Sequence, residues 1–171
     1  MRCSTSHVGI ALFSTPGFPL QWVLALCDNE LFQGRVLCTA VTLNVNGLQE
    51  HWKDCNPSLI SFNRTATFVG VVRIAVLTQP MEIVQSELKT KCIRLMNDTN
   101  QALSDLFVLR TLWLMGKRFA PSSFLTKGEE LERAIRAKIA VLLNHQCPPG
   151  SRFFPVINVE MGTICQAKLC L

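Results

Sequence analysis

Tyrosine is absent from this chain, histidine occurs only 3 times, and charged residues make up 17% of it. Long apolar runs are missing as well, although 49% of the residues are hydrophobic and the mean hydropathy is +0.26. A membrane-spanning helix needs roughly 18 or more apolar residues in succession. The best stretches, residues 68–77 and 106–115, are short and are interrupted by Arg73 and Arg110. No membrane span is therefore expected, and the apolar excess points to a large core or an apolar ligand cavity. Cys-x-x-Cys pairs are also absent, and the closest two of the 8 cysteines are Cys165 and Cys170. Structural zinc sites usually show tight ligand pairs with histidine nearby. No metal is expected, and Cys27, Cys38 and Cys92, set in apolar stretches, read as small buried apolar residues that stay reduced. A Gly-rich phosphate loop, His-Glu-x-x-His, Gly-x-Ser-x-Gly and a nicotinamide fingerprint are missing too, so no cofactor is expected.

The residues around Met1, Arg2 and His7 contain no apolar signal core, and the chain is expected inside the cell. Without a secretion signal, Asn63-Arg64-Thr65 and Asn97-Asp98-Thr99 read as chance matches to the glycosylation pattern. The net charge is +5, but its carriers are scattered: Lys89, Lys91 and Arg94, then Lys117 and Arg118, then Arg133, Arg136 and Lys138. Nucleic-acid surfaces concentrate such charge on one face, often among aromatics. These residues read instead as solvated helix faces with a mild preference for anionic small molecules, and no nucleic-acid partner is expected.

The first half of the chain alternates apolar, β-branched stretches with turn residues. Strands are expected over residues 8–13, 21–26, 34–43, 48–53 and 68–77. Between them lie Ser14-Thr15-Pro16-Gly17-Phe18-Pro19, Asp28-Asn29, turn residues 44–47 and a loop over 56–64. The near-continuous apolar runs predict strands covered on both faces. The second half turns to helical spacing. From Pro80, which suits a first helical position, Val84, Leu88, Cys92 and Leu95 recur every three or four residues. Residues 97–100 are a polar break rich in possible caps. Residues 101–115 are apolar on nearly every side, which predicts a buried, central helix stopped at Gly116, Lys117 and Arg118. Thr126 and Glu129 form a capping box for a last helix with Leu131, Ile135, Ile139 and Leu142 on one face, ended by Cys147-Pro148-Pro149-Gly150. The tail from Arg152 reads as extended and irregular. No repeat, low-complexity segment or linker divides the chain. Residues 1–171 are expected to form one α+β domain, a small, mainly antiparallel sheet from the N-terminal half packed on helices from the C-terminal half.

Three segments, Leu20-Gln21-Trp22-Val23-Leu24-Ala25-Leu26, Gly34-Arg35-Val36 and Ser104-Asp105-Leu106-Phe107-Val108, carry a resemblance through their order and spacing. Together they resemble the lecithin retinol acyltransferase-like, circularly permuted papain-like thiol hydrolases. In that family the first strand opens with His-Trp-Ala, and a buried helix starts with Cys-x-x-Phe-Val. Small fungal proteins of the same general type are similar over nearly the whole chain. Their His-Trp-Ala-Leu corresponds to Gln21-Trp22-Val23-Leu24, their Gly-Arg-Val strand to Gly70-Val71-Val72-Arg73, and their Arg-Phe tail to Arg152-Phe153. The resemblance implies a Cys at a helix N-terminus activated by the strand His for attack on an acyl group. Here Ser104 stands in place of the Cys and Gln21 in place of the His. Glutamine takes no proton at neutral pH, and a serine without a positioned base is a poor nucleophile. The inherited thiol chemistry is thus expected to be lost.

Replacement bases are few. His7 starts a strand, His51 lies beside Trp52, and His145 sits at a helix end, where its charge favours the helix C-terminus. A satisfied or solvated histidine is the commoner reading of the first two. Asp105 reads as a helix-dipole partner, and Arg110 as a residue that snorkels to the surface or pairs with a carboxylate. Three functions remain open. One is a cofactor-independent enzyme of fungal natural-product metabolism that folds an apolar small molecule, with or without a carboxylate, for a Diels–Alder-type or related cyclisation. The second is a pseudoenzyme that binds a lipid or protein without chemistry, and the third is a hydrolase or acyltransferase using Ser104. The first reading makes Gln21 and Ser104 the catalytic residues, and places them with Trp22, Leu106 and Phe107 in one apolar cavity. It leaves the oligomeric state open.

Overall fold

The computed structural model describes residues 6–14, 16–17, 19–28, 37–42, 51–53, 68–88, 104–115, 128–145, 153–159 and 164–168. Five strands come from the N-terminal half: β1 (Ser6–Phe13), β2 (Gln21–Asp28), β3 (Leu37–Thr42), β4 (His51–Lys53) and β5 (Phe68–Val76). Helical residues 81–88 form α1, followed by α2 (Ser104–Met115) and α3 (Gly128–Leu143). Two further strands, β6 (Phe153–Asn158) and β7 (Ile164–Lys168), close the described chain. Among the described residues the strands form one 7-stranded sheet in the order β4-β3-β2-β1-β5-β6-β7. All pairings are antiparallel except β5 with β6. The protein is therefore α+β, with a mainly antiparallel sheet, built chiefly from the N-terminal half and extended by β6 and β7, packed on helices.

Alternation along the central strands sorts their side chains onto two faces. Val8, Ile10 and Leu12 of β1, Trp22, Leu24 and Leu26 of β2, and Val72 and Ile74 of β5 meet the helices in one core. Val84 and Leu88 of α1, Val108, Leu112 and Met115 of α2, and Leu131, Ile135, Ile139 and Leu142 of α3 complete it. The opposite face, with Ala11, Val23, Ala25 and Val71, is buried as well. Cover on both faces explains why the central strands read as unbroken apolar runs.

Two expectations are corrected. The tail is not irregular: β6 enters the sheet with Val71 opposite Val156 and Val72 opposite Ile157, and β7 pairs along its outer edge. Pro155, a residue that argues against an interior strand, hides this element in the sequence. The parallel pair needs Gly70, whose φ is +154° and at which a Cβ would lie 2.6 Å from the Pro155 carbonyl oxygen. The second correction concerns α2. It buries Val108, Thr111, Leu112 and Met115, but Trp113 is 65% and Leu106 41% exposed. The helix covers the sheet from one side only, so part of its apolar circumference faces water.

Pro80 stands immediately before α1, and its carbonyl accepts from the amides of Ile83 and Val84 at 3.1 and 3.2 Å. The expected stripe of α3 is buried in full. The capping residue Thr126, the breaks at 97–100 and 116–118, the stop at 147–150 and both glycosylation matches lie outside the described residues. No helix among the described residues is long and apolar enough to cross a membrane.

Candidate functional site

A cleft of about 370 Å³ opens where the start of β2, the first turn of α2 and the C-terminal half of α3 converge. Arg136, Ile139, Ala140 and Leu143 of α3 form one wall, at the helical spacing that puts residues on one side. Pro19 and Leu20, leading into β2, and Trp22 form the other, and Asp105 from the first turn of α2 closes the end. Trp22 is only 4% exposed, being packed into the helix-side core.

The polar edge of the cleft is a three-residue ion network. Nε of Arg136 donates to Glu132 Oε1 at 2.8 Å, one turn earlier on α3, and Nη2 donates to Asp105 Oδ2 at 3.0 Å. The other carboxylate oxygen of Asp105 accepts from the Leu106 amide at 2.8 Å, within the positive first turn of α2. The guanidinium carbon stands 5.2 Å from the centre of the Trp22 ring, within cation–π reach. Hydrogen bonds from Glu132 and then Asp105 hold the Arg136 pKa above its ordinary value. The result is a guanidinium fixed in position at the mouth of an apolar slot.

The sequence-derived site is only partly assembled here. Trp22 lines the cleft. Ser104 is the first residue of α2, directly before Asp105, which brings its backbone beside the cleft. The side chains of Ser104 and Phe107 lie outside the described part of the structure. Leu106 is 41% exposed and does not line the cleft. Gln21 is not in it either. Neighbouring residues of a strand point to opposite faces, so the half-buried Gln21 shares the far face with Phe13, its partner on β1. A single cavity holding both Gln21 and Trp22 is thereby corrected.

Among the candidate bases, His51 belongs to β4 with its side chain undescribed, and His145 follows α3 with its amide bonded to the Leu142 carbonyl at 3.0 Å. His7 is neither solvated nor satisfied. It is 5% exposed, and among the described residues neither ring nitrogen has a hydrogen-bond partner. Burial, and then the positive charge of Arg73, lower its pKa to about 4. It lies on the same far face as Ala11 and Ala25, away from the cleft, because β1 alternates as β2 does. Among the described residues no group of three or more His, Cys, Asp or Glu is arranged to hold a metal ion.

Sequence reasoning missed Arg136 and gave Asp105 only a helix-dipole role. The Glu132–Arg136 pair was visible as a four-residue spacing on a helix. The apolar companions of Arg136, namely Ile139, Ala140 and Leu143, were a signal that this helix face is not purely solvated. The contact with Asp105, 31 residues away, had no local sign. The chain matches no protein-family description, no curated protein and no solved structure.

Proposed function

We propose that this chain is a cofactor-independent enzyme that binds a small apolar molecule in the Trp22–Arg136 cleft and folds it for cyclisation, a Diels–Alder-type or related step of natural-product metabolism. The observation that carries this reading is the fixed guanidinium at the edge of a slot walled by Leu20, Trp22, Ile139, Ala140 and Leu143. Apolar walls restrict a flexible substrate to a reactive shape, which removes an entropic part of the barrier. Arg136, rather than Gln21, is the catalytic donor in this reading, since its N–H groups can bond a carbonyl conjugated to the reacting alkene. A preorganised donor of this kind supplies up to about 3 kcal/mol where charge builds in the transition state, and less in a cycloaddition, where little charge develops. Two carboxylates orient the guanidinium, which is half-exposed, towards the cleft before reaction.

The first step of the test is native mass spectrometry of the purified protein against an extract of its source, to find the retained molecule. Arg136→Ala is then expected to lower turnover while the thermal unfolding transition persists, and Trp22→Ala to change the product distribution. Wild-type rate and product ratio in both variants would remove the cleft from the mechanism. A second reading, a binder without chemistry, is favoured by the exposed Leu106 and Trp113 on α2, an apolar surface for which the enzyme has no use.

A further inference from the structure

We infer that the Trp22–Arg136 cleft takes an uncharged, carbonyl-bearing apolar molecule and discriminates against the corresponding carboxylate. This rests on the reading of that cleft as the binding site. In the cleft one guanidinium, from Arg136, faces two carboxylates, from Asp105 at 3.0 Å and Glu132 at 2.8 Å. The positive first turn of α2 offsets part of the Asp105 charge. The network is left close to neutral or slightly negative, although the chain as a whole carries +5.

An entering carboxylate would surrender hydration to the apolar walls and meet a cation already matched by two anions. Such a group is costly to bury without its own counter-charge. A ketone, ester or amide carbonyl loses far less on leaving water. It still finds donors, because a guanidinium has five N–H groups and Glu132 and Asp105 each take one of them. A cationic head group would be drawn by the carboxylates, but the Trp22 ring already has the Arg136 guanidinium 5.2 Å from its centre. An ammonium would have to displace it. Apolar walls with hydrogen-bond donors and no spare charge select a neutral acceptor.

The test is calorimetric titration of the intact chain, at low ionic strength, with three probes of matched length: 2-undecanone, undecanoate and undecylamine. The ketone is expected to bind about tenfold more tightly than either charged probe, because undecanoate finds no unmatched cation in the cleft and undecylamine would have to displace the Arg136 guanidinium from Trp22. Glu132→Gln removes one exposed carboxylate and should narrow the ketone–undecanoate gap severalfold through the undecanoate affinity alone. Arg136→Gln should weaken the ketone. Undecanoate or undecylamine binding as tightly as the ketone overturns the inference while leaving the cleft as a binding site. Ketone binding that Trp22→Ala and Arg136→Gln leave unchanged places the ligand elsewhere and overturns the underlying reading, as does the absence of binding by all three probes.

Discussion

At His7 the structure stores a pH dependence that has no part in the cleft. The imidazole is buried without a hydrogen-bond partner among the described residues and titrates at about 4 when folded, against 6.5 for the free side chain. Below pH 6.5 the unfolded chain takes up a proton that the folded chain refuses. Stability is therefore full above pH 6.5 and is lost as the pH falls towards about 4. Over that window the loss is about 3 kcal/mol, since each pKa unit is worth about 1.4 kcal/mol. Denaturant titrations of the wild type at a series of pH values should show this fall, and His7→Leu should flatten it. An unchanged slope in the variant would assign the acid sensitivity to other groups. The strand position of His7 was legible in the sequence. Its burial was not, because that depends on what covers the far face of the sheet.

Among the elements, α2 and α3 differ in how far composition foretells their packing. α3 carries Leu131, Ile135, Ile139 and Leu142 on one stripe, with Glu129 and Glu130 at its positive end, and each stripe residue is buried. A stripe of apolar residues on an otherwise polar helix has one way to hide. α2 is apolar on most sides, and nothing in its own sequence says how many sides will be covered. The fold covers one, which leaves Trp113 65% exposed. Ile135→Ala should therefore cost about 2–5 kcal/mol through lost burial and a cavity. Trp113→Ser should change stability by about 0.5 kcal/mol or less, as exposed substitutions usually do. Urea unfolding of both variants checks the pair. A large loss at Trp113 would mean that its surface is covered in solution.

For the whole molecule, the decisive feature is the return of the chain to its own sheet, beside β5. β6 lies parallel to β5 and buries Val156 and Ile157. β7 then shields the outer edge of β6. Without residues 152–171, β5 becomes an edge with unpaired amides and carbonyls, and the core loses Ile157 and Val159. A chain ending at residue 151 is expected to lack the cooperative thermal transition that the full chain shows by circular dichroism. Retention of that transition would mean that β1–β5 and the helices fold as a unit by themselves.

The sequence by itself determined the elements whose pattern is local. The apolar runs of β1, β2 and β5 specify strands, the spacing of α3 specifies its buried face, and the alternation of β2 already separates Gln21 from Trp22. Tertiary structure decided whatever joins distant segments. Pro155 discourages a strand locally, yet the approach permitted by Gly70 brings β6 onto β5. Asp105 and Arg136 look like two ordinary helix charges until the packing of α2 beside α3 sets them 3.0 Å apart beside Trp22. Periodicity states which residues share a face. It does not state which face another helix will cover, because that choice minimises the exposed apolar surface of the whole chain.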